Sequence, residues 1–380
     1  MKNKIIFFIY FILTITLVFS GGDKEETDTS ETLDIESSIT LETSDEQLAL
    51  AKGPNGEDAT RANEIILTDE DIEIIKQSNF TAAFLWAGSG EWYNALSDGA
   101  QDEFDKLGVE IVLKSDAQFD AAKQATDVET VLALEPDIIL TLVVDPVSGA
   151  RAFQPAVDAG VTLVFADNGV DGYEGGDEYV SIVTGDHFGM GRLAAELMYE
   201  ALGGKGNVGF IFHDADYFVT NNRDNEFKRT IESKYPGIDI VAESGFTEEP
   251  RTEEMASAML IQHPEINGIY VAWDVAAEGV IAALRAAGRY DIKVITHDLG
   301  ANGDLDMAMD GNMYGKAIDI PYDIGVTMAR IAVLELLGNE LPPFVVVPSL
   351  KVTKENLVEA WKSALRRNPP PNILTVLGEN

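Results

Sequence analysis

Between residues 79 and 353 the chain alternates between two hydrophobic rhythms. Apolar runs rich in β-branched residues occupy 82–86, 110–113, 138–144, 162–166, 179–184, 208–213, 238–243, 269–272, 293–296, 314–319 and 344–347. Amphipathic stretches separate them, among them 93–107, 188–202, 222–234, 253–262 and 275–287. Runs that stay apolar throughout predict strands buried on both faces, and hence parallel sheets covered by helices. Repeated strand–helix units predict an α/β doubly wound architecture. Eleven strands crowd a single open sheet, so the pattern predicts two lobes.

In such sheets ligands sit outside the carboxyl ends of the strands. The residues standing there are Trp86, Asp145, Asp167 with Asn168, His213 with Asp214, Trp273 with Asp274, His297 with Asp298, and Asp319. An Asp after a strand also serves as the N-cap of the next helix, and Asp214, Asp274 and Asp304 are expected to do so.

The ends of the chain read differently. Residues 1–20 carry Lys2 and Lys4 ahead of an uncharged apolar run at 5–19. As a helix at about 1.5 Å per residue that run spans about 22 Å, short of a hydrocarbon core of roughly 30 Å. A cleaved signal peptide is expected there rather than a membrane anchor, and with it export to the periplasm or another extracytoplasmic space. Residues 21–61 hold 12 acids against three bases and no apolar period; an acidic disordered linker is expected. Pro369, Pro370 and Pro371 are expected to close the last helix and leave 367–380 as a tail.

Composition narrows the function. The 380 residues carry 65 Asp and Glu against 27 Lys and Arg, a net charge of −38. That balance argues against nucleic acid, which needs clustered cations to release counterions. The linker supplies only −9 of it, so the acidity belongs mainly to the folded surface, as suits saline or alkaline surroundings where salt screens self-repulsion. A content of 46% hydrophobic and 24% charged residues allows a sizeable core. With no cysteine, disulfides, zinc–thiolate sites and thiol nucleophiles drop out together.

Recognisable chemistry is missing as well. The Gly-Gly-Lys-Gly run at 203–206 lacks the Ser or Thr of a phosphate loop, and the glycines at 185–191 make no dinucleotide fingerprint. There is neither a G-x-S-x-G elbow nor an H-E-x-x-H pair. His187, His213, His263 and His297 lack ligand spacing. Asn302, Asp304 and Asp306 imitate the opening of a calcium loop, but Met307 and Met313 stand where Gly and Glu are needed. No cofactor, no metal and no catalysis are expected, and a binding protein gains ground.

The ordered motifs then point to a family. The segment WYNALSDGAQ at 92–101, followed by Asp145-Pro146, Ala166-Asp167-Asn168, NRDNEF at 222–227, Trp273-Asp274, His297-Asp298 and IDIP at 318–321, resembles the ribose-type periplasmic sugar-binding proteins. These are the type 1 solute receptors of ABC importers, and they resemble the effector domains of lactose-repressor-like regulators. The signal peptide and the missing DNA-binding headpiece separate this chain from the regulators. The resemblance covers about residues 79–353 and implies two lobes joined by three crossings near 184–185, 319–320 and 343–344. The lobes would be 79–184 with 320–343, and 185–319 with 344–366. Trp86, Ser89 and Gly90 would follow the first strand into the pocket, and Trp92 with Tyr93 would sandwich the sugar ring. Asp145, Asp167, Asn168, Arg223, Trp273, Asp298 and Asp319 fall at hydroxyl-binding positions, and Phe246 or Thr247 would add a contact.

Elementary chemistry agrees with such a pocket. Aromatic faces bury the C–H faces of a sugar, carboxylates accept from its hydroxyls, and a guanidinium donates two parallel hydrogen bonds. Several Asp against one Arg disfavour an anionic ligand, and a neutral monosaccharide or polyol, a pentose or sugar alcohol, is expected. Core packing remains the alternative for Trp92, Tyr93 and Trp273, and surface pairing with Asp224 or Glu226 for Arg223. The chain departs from the ribose pattern at Asn168, Trp273 and Asp319, where Arg, Asn and Gln are usual. Trp86 also stands where autoinducer-2 receptors carry Lys. The resemblance further implies a monomer that delivers its solute to a membrane permease driven by a separate ATPase. Two other outputs stay open on the sequence: a periplasmic sugar or autoinducer-2 sensor facing a chemoreceptor or kinase, and an exported carbohydrate-active enzyme using an Asp pair among Asp145, Asp167 and Asp298.

Overall fold

The computed structural model describes residues 40–41 and 45–379. The expected signal at 1–20 and the start of the expected linker, 21–39, lie outside the described residues.

All eleven expected strands form, and they divide between two seven-stranded sheets of identical winding. The first sheet contains β2 (Thr60–Arg61), β3 (Thr81–Trp86), β4 (Glu110–Asp116), β5 (Ile138–Thr141), β6 (Thr162–Ala166), β7 (Ser181–Gly185) and β13 (Phe344–Val347). Its order is β2-β13-β7-β6-β5-β3-β4, parallel throughout. Helices α2 (Asp69–Ser78), α3 (Glu91–Leu107), α4 (Ala121–Leu132), α5 (Pro146–Asp158) and α11 (Pro321–Leu336) belong to this lobe. The second sheet contains β1 (Thr40–Leu41), β8 (Gly206–His213), β9 (Ile238–Phe246), β10 (Gly268–Val271), β11 (Lys293–His297), β12 (Met313–Ile318) and β14 (Ser349–Thr353). Here the order is β1-β14-β12-β11-β10-β8-β9, with β14 antiparallel to both its neighbours. Helices α6 (His187–Ala201), α7 (Phe218–Lys234), α8 (Thr252–Gln262), α9 (Asp274–Ala286) and α10 (Ala301–Ala308) complete the second lobe.

The burial explains why the pattern was readable. Along β3, Phe84 and Trp86 enter one cluster and Ala83 and Leu85 the other, so both faces are covered. In the first lobe α3 and α11 touch backbone to backbone. A Cβ on Gly99 would lie 2.0 Å from the Tyr322 carbonyl, and one on Gly325 2.1 Å from that of Leu96. That close crossing fixes the first turn of α3, which carries Trp92 and Tyr93, against the start of α11 at the second crossing.

Four expectations are corrected. Phe344–Val347, expected in the second lobe, inserts between β2 and β7 of the first sheet. All four of its residues are buried, which demands the two-sided apolar site that a central position provides. The third crossing therefore falls at Pro348, and β14, not expected from the pattern, begins the return. The second part of the 21–61 linker is docked rather than disordered. It carries α1 (Asp45–Leu48) and β2, Ala51 is buried, Arg61 pairs with Asp45 at 2.6 Å, and Asn55 donates to the Tyr173 carbonyl. The 367–380 tail holds α13 (Pro371–Leu377), whose Ile373 is buried in the same cluster as α12 (Leu357–Leu365). Pro371 starts this helix at a position where a missing N–H costs nothing.

The fourth correction concerns helix caps. The N-cap positions of α7, α9 and α10 are Tyr217, Trp273 and Gly300, not Asp214, Asp274 or Asp304. Asp120, Asp145 and Asp186 cap α4, α5 and α6 instead.

Candidate functional site

The carboxyl ends of both sheets face one crevice at the crossings, and each lobe brings its own chemistry to it. On the first lobe, Trp92 and Tyr93 sit edge to face with ring centroids 5.2 Å apart. The Trp92 indole Nε1 donates to both oxygens of Asp319, at 3.2 and 3.0 Å. Burial, followed by the charges of Tyr217, Asp167 and Asp116, drives the Tyr93 phenol well above its ordinary range. Asp167 ends β6 with φ 57°, a left-handed conformation that Asp tolerates. Its Oδ1 accepts from Thr184 Oγ1 at 2.8 Å and lies 3.4 Å from His187 Nε2. Asn168, only 2% exposed, donates from Nδ2 to the Tyr217 hydroxyl at 2.6 Å, while its Oδ1 has no partner. Ser89 and Gly90 form the exposed rim ahead of α3.

On the second lobe a guanidinium is the centre. Arg223, 5% exposed on α7, reaches both oxygens of Asp298 from Nη1 at 3.2 Å. Burial alone would lower the Arg223 pKa, but Asp298, with Tyr270, Asp224 and Asp319, holds it above its usual value. Asp298 ends β11 with φ 64°. Behind Arg223 runs a buried chain: Asp224 accepts from the His213 amide at 3.0 Å and from the Tyr270 hydroxyl at 2.6 Å, and Tyr270 meets His297 Nε2 at 2.9 Å. Burial outweighs the two donated hydrogen bonds and raises the Asp224 carboxyl to about 6. It also drives His297 well below its ordinary value, with Arg223 adding to the effect, so this imidazole stays neutral. Trp273 packs on His213 and Phe246 with centroids 5.0 and 4.7 Å apart, and its Nε1 donates to Glu249 at 2.5 Å.

The hinge joins the two sides. Asp319 lies at the second crossing, 4% exposed, where a Cβ on Gly185 would come within 2.5 Å of its own Cβ. Burial, then the charges of Asp298 and Asp167, raise its carboxyl well above the usual range, against the Trp92 hydrogen bond and Arg223. Because Asn168 belongs to the first lobe and Tyr217 to the second, their hydrogen bond spans the crevice.

Not every candidate presents free groups there. Trp86 buries its indole against Phe84 and spends its N–H on Ser97 of α3 at 2.6 Å. Asp145 accepts from the Ser148 amide and hydroxyl, both at 2.6 Å, and those bonds hold its carboxyl below the ordinary range. Both are occupied within their own lobe. Phe246 is buried behind Trp273. Sequence reasoning missed Tyr217, which stands in the β8–α7 loop next to Asp167 and Arg223; burial, then Asp167, pushes its phenol up to about 12. An aromatic in a strand-to-helix loop was the available signal. Asp274 was read as a cap, yet burial raises it to about 7, with Asp298 and Asp304 adding and Lys316 opposing. Its neighbours Lys316 and Asp304 are both fully buried, 2.7 Å apart. Among the described residues no cluster of three or more His, Asp or Glu is arranged to hold a metal ion.

This two-lobed winding is shared. The sequence profile of the periplasmic binding protein domain matches residues 82–340. The chain belongs to that family. It is 23% identical over 250 residues to the ribose import binding protein of Salmonella typhimurium, covering 66% of this chain and 82% of that protein. It is 27% identical over 285 residues to the D-ribose/D-allose-binding protein of Pseudomonas aeruginosa, covering 74% and 81%. In structure it is similar to a sugar-binding protein of a sugar ABC transporter from Bacillus halodurans, with a TM-score of 0.66, 24% identity, and 73% and 98% of the two chains covered. Members of the family are binding proteins that work outside the cytoplasm, and substrate binding is the role of this one.

Proposed function

We propose that this protein is the receptor of an ABC importer for a monosaccharide or polyol of pentose or sugar-alcohol size. The observation that carries the reading is the convergence on one crevice of aromatic faces from Trp92, Tyr93 and Trp273 with the polar groups of Asp167, Asn168, Arg223, Asp298 and Asp319. Rings and hydroxyls need both kinds of surface at once. The relatives, one a ribose import binding protein and one a D-ribose/D-allose-binding protein, support a monosaccharide ligand, ribose being a pentose and allose a hexose.

A ligand that touches both lobes stabilises the form in which they meet, and so shifts an open–closed equilibrium by the difference in its affinity for the two states. Arg223 supplies a fixed fork of donors, held by Asp298 and backed by Asp224 and Tyr270. Ser89 and Gly90 edge the entrance. Binding occurs without turnover, export depends on residues 1–20, and the closed monomer hands its solute to a permease served by a separate ATPase. Calorimetric titration against pentoses, hexoses and polyols tests this. Micromolar or tighter binding of at least one carbohydrate is expected, and binding of none overturns the reading.

A further inference from the structure

The charges around the crevice do not balance. Among the described residues, each buried cation near it is already committed. Arg223 is paired with Asp298, and Lys316 with Asp304. Among the described residues Asp319 and Asp274 form no ion pair, and Asp167 accepts from Thr184 and lies 3.4 Å from His187. The one hydrogen bond that the Asp319 carboxylate receives comes from a neutral indole, Trp92 Nε1. The groups facing Asp319 are Asp298 from the end of β11, Asp167 from the end of β6, Arg223 from α7 and Trp92 from α3.

We infer that the natural ligand carries a protonated primary amine, as an amino sugar or aminocyclitol does, and that Asp319 is the group that receives it. This rests on the carbohydrate reading above and replaces the neutral ligand expected from the sequence. An ammonium supplies three donors and one positive charge where acceptors and negative charge are in surplus. The acceptor surplus has an independent witness in the buried Oδ1 of Asn168, beside Asp167, which has no partner. The buried Nε of Arg223 is likewise unpartnered, and it suits a ring or hydroxyl oxygen of the same ligand. Trp92 stands against Asp319, with Tyr93 packed on its ring, and aromatic faces favour a cation over a neutral group. With no ligand, burial and then the charges of Asp298 and Asp167 favour a proton on Asp319; an ammonium arriving against the carboxylate offsets them, and that proton leaves to solvent.

The test pairs amines with their hydroxyl counterparts: D-glucosamine against D-glucose, and scyllo-inosamine against scyllo-inositol. Each is titrated calorimetrically at pH 7.5 in two buffers of different ionisation enthalpy. At least one amine is expected to bind ten-fold or more tighter than its counterpart, with proton release on binding and with loss of affinity on N-acetylation. Asp319→Asn is expected to abolish both the preference and the proton release, while a thermal melt reports its folding. Hydroxyl members binding as tightly as the amines, in the unmodified protein, overturn this inference and leave the carbohydrate reading standing. Binding by neither class overturns this inference, and the carbohydrate reading falls with it only if the pentoses, hexoses and polyols titrated above fail to bind as well.

Discussion

Asp167 in the first lobe and Asp298 in the second stand at equivalent points, each after the strand that lies one place inside β7 or β12. Both adopt the left-handed backbone, φ 57° and 64°, that carries the chain away from the sheet. Their partners differ. Asp167 is held by a hydroxyl and an imidazole, Asp298 by a buried guanidinium. The second lobe continues that charge inward through Asp224, Tyr270 and His297, and carries a further buried pair in Lys316 and Asp304. The first lobe spends its polar groups locally, Trp86 on Ser97 and Asp145 on Ser148, and faces the crevice with aromatic rings. The two sheets thus differ at the crevice: one lobe presents fixed charge there, the other aromatic rings.

The division can be broken experimentally. The largest effect on binding is expected from Arg223→Ala, which strands the half-buried Asp298 carboxylate; removing one partner of a fully buried pair costs about 3–5 kcal/mol, and the quarter exposure of Asp298 puts the loss at or below the lower end. Urea unfolding should register that loss, and titration a fall in affinity of about 100-fold, taking roughly 1.4 kcal/mol per decade. If Asp167→Ala costs as much stability as Arg223→Ala, the contrast between the lobes is wrong. Lys316→Met is expected to cost about 3–5 kcal/mol by the same mechanism. Lys316→Met with Asp304→Leu should recover only part of it: apolar groups replace a buried pair at little cost, but Asp304 also accepts from the Trp361 indole at 2.8 Å, and that donor would be left unpaired.

A smaller pair of effects separates two tryptophans of the first lobe. Trp92→Phe should weaken binding about ten-fold, since it removes the indole N–H that Asp319 accepts through both oxygens. Trp86→Phe loses a bond to Ser97 worth about 1 kcal/mol and should leave affinity where it was. Equal losses of affinity from the two would sink the distinction. The smallest effect concerns pH. Asp274 holds its proton up to about 7 in the folded protein, while in the unfolded chain it releases it near the ordinary carboxyl value, about 4. The folded state therefore binds more protons in between, and the stability it contributes is full below about pH 4 and is lost as pH rises to about 7. Asp274→Asn should flatten that part of the dependence of melting temperature on pH; an unchanged slope counts against the buried carboxyl.

Much of this site was legible in the residues, though unevenly. Trp92, Tyr93, Asp167, Asn168, Arg223, Trp273, Asp298 and Asp319 follow apolar runs or open helices, and a parallel sheet sends all such ends to one side. Tyr217 was hidden because a loop residue has no period to announce it. Trp86 and Asp145 looked identical in kind to the others; a serine eleven residues on, and another three residues on, took up their polar atoms. Asp274 resembled an ordinary cap, and only its half-buried place against Gly300, near Asp298 and Asp304, raised its carboxyl.

By itself the sequence determined the strands, their parallel winding and the two-lobed class, because burial on both faces forces unbroken apolar runs that any reader can find. It also determined the acidity of the surface, a matter of composition. Only the tertiary structure decided that Phe344–Val347 crosses back into the first sheet, that residues 45–61 and 371–377 dock, and which carboxylates are answered by cations. Those outcomes depend on neighbours distant in the chain, and the energy of a buried charge is set by the partner it meets, which local pattern does not record.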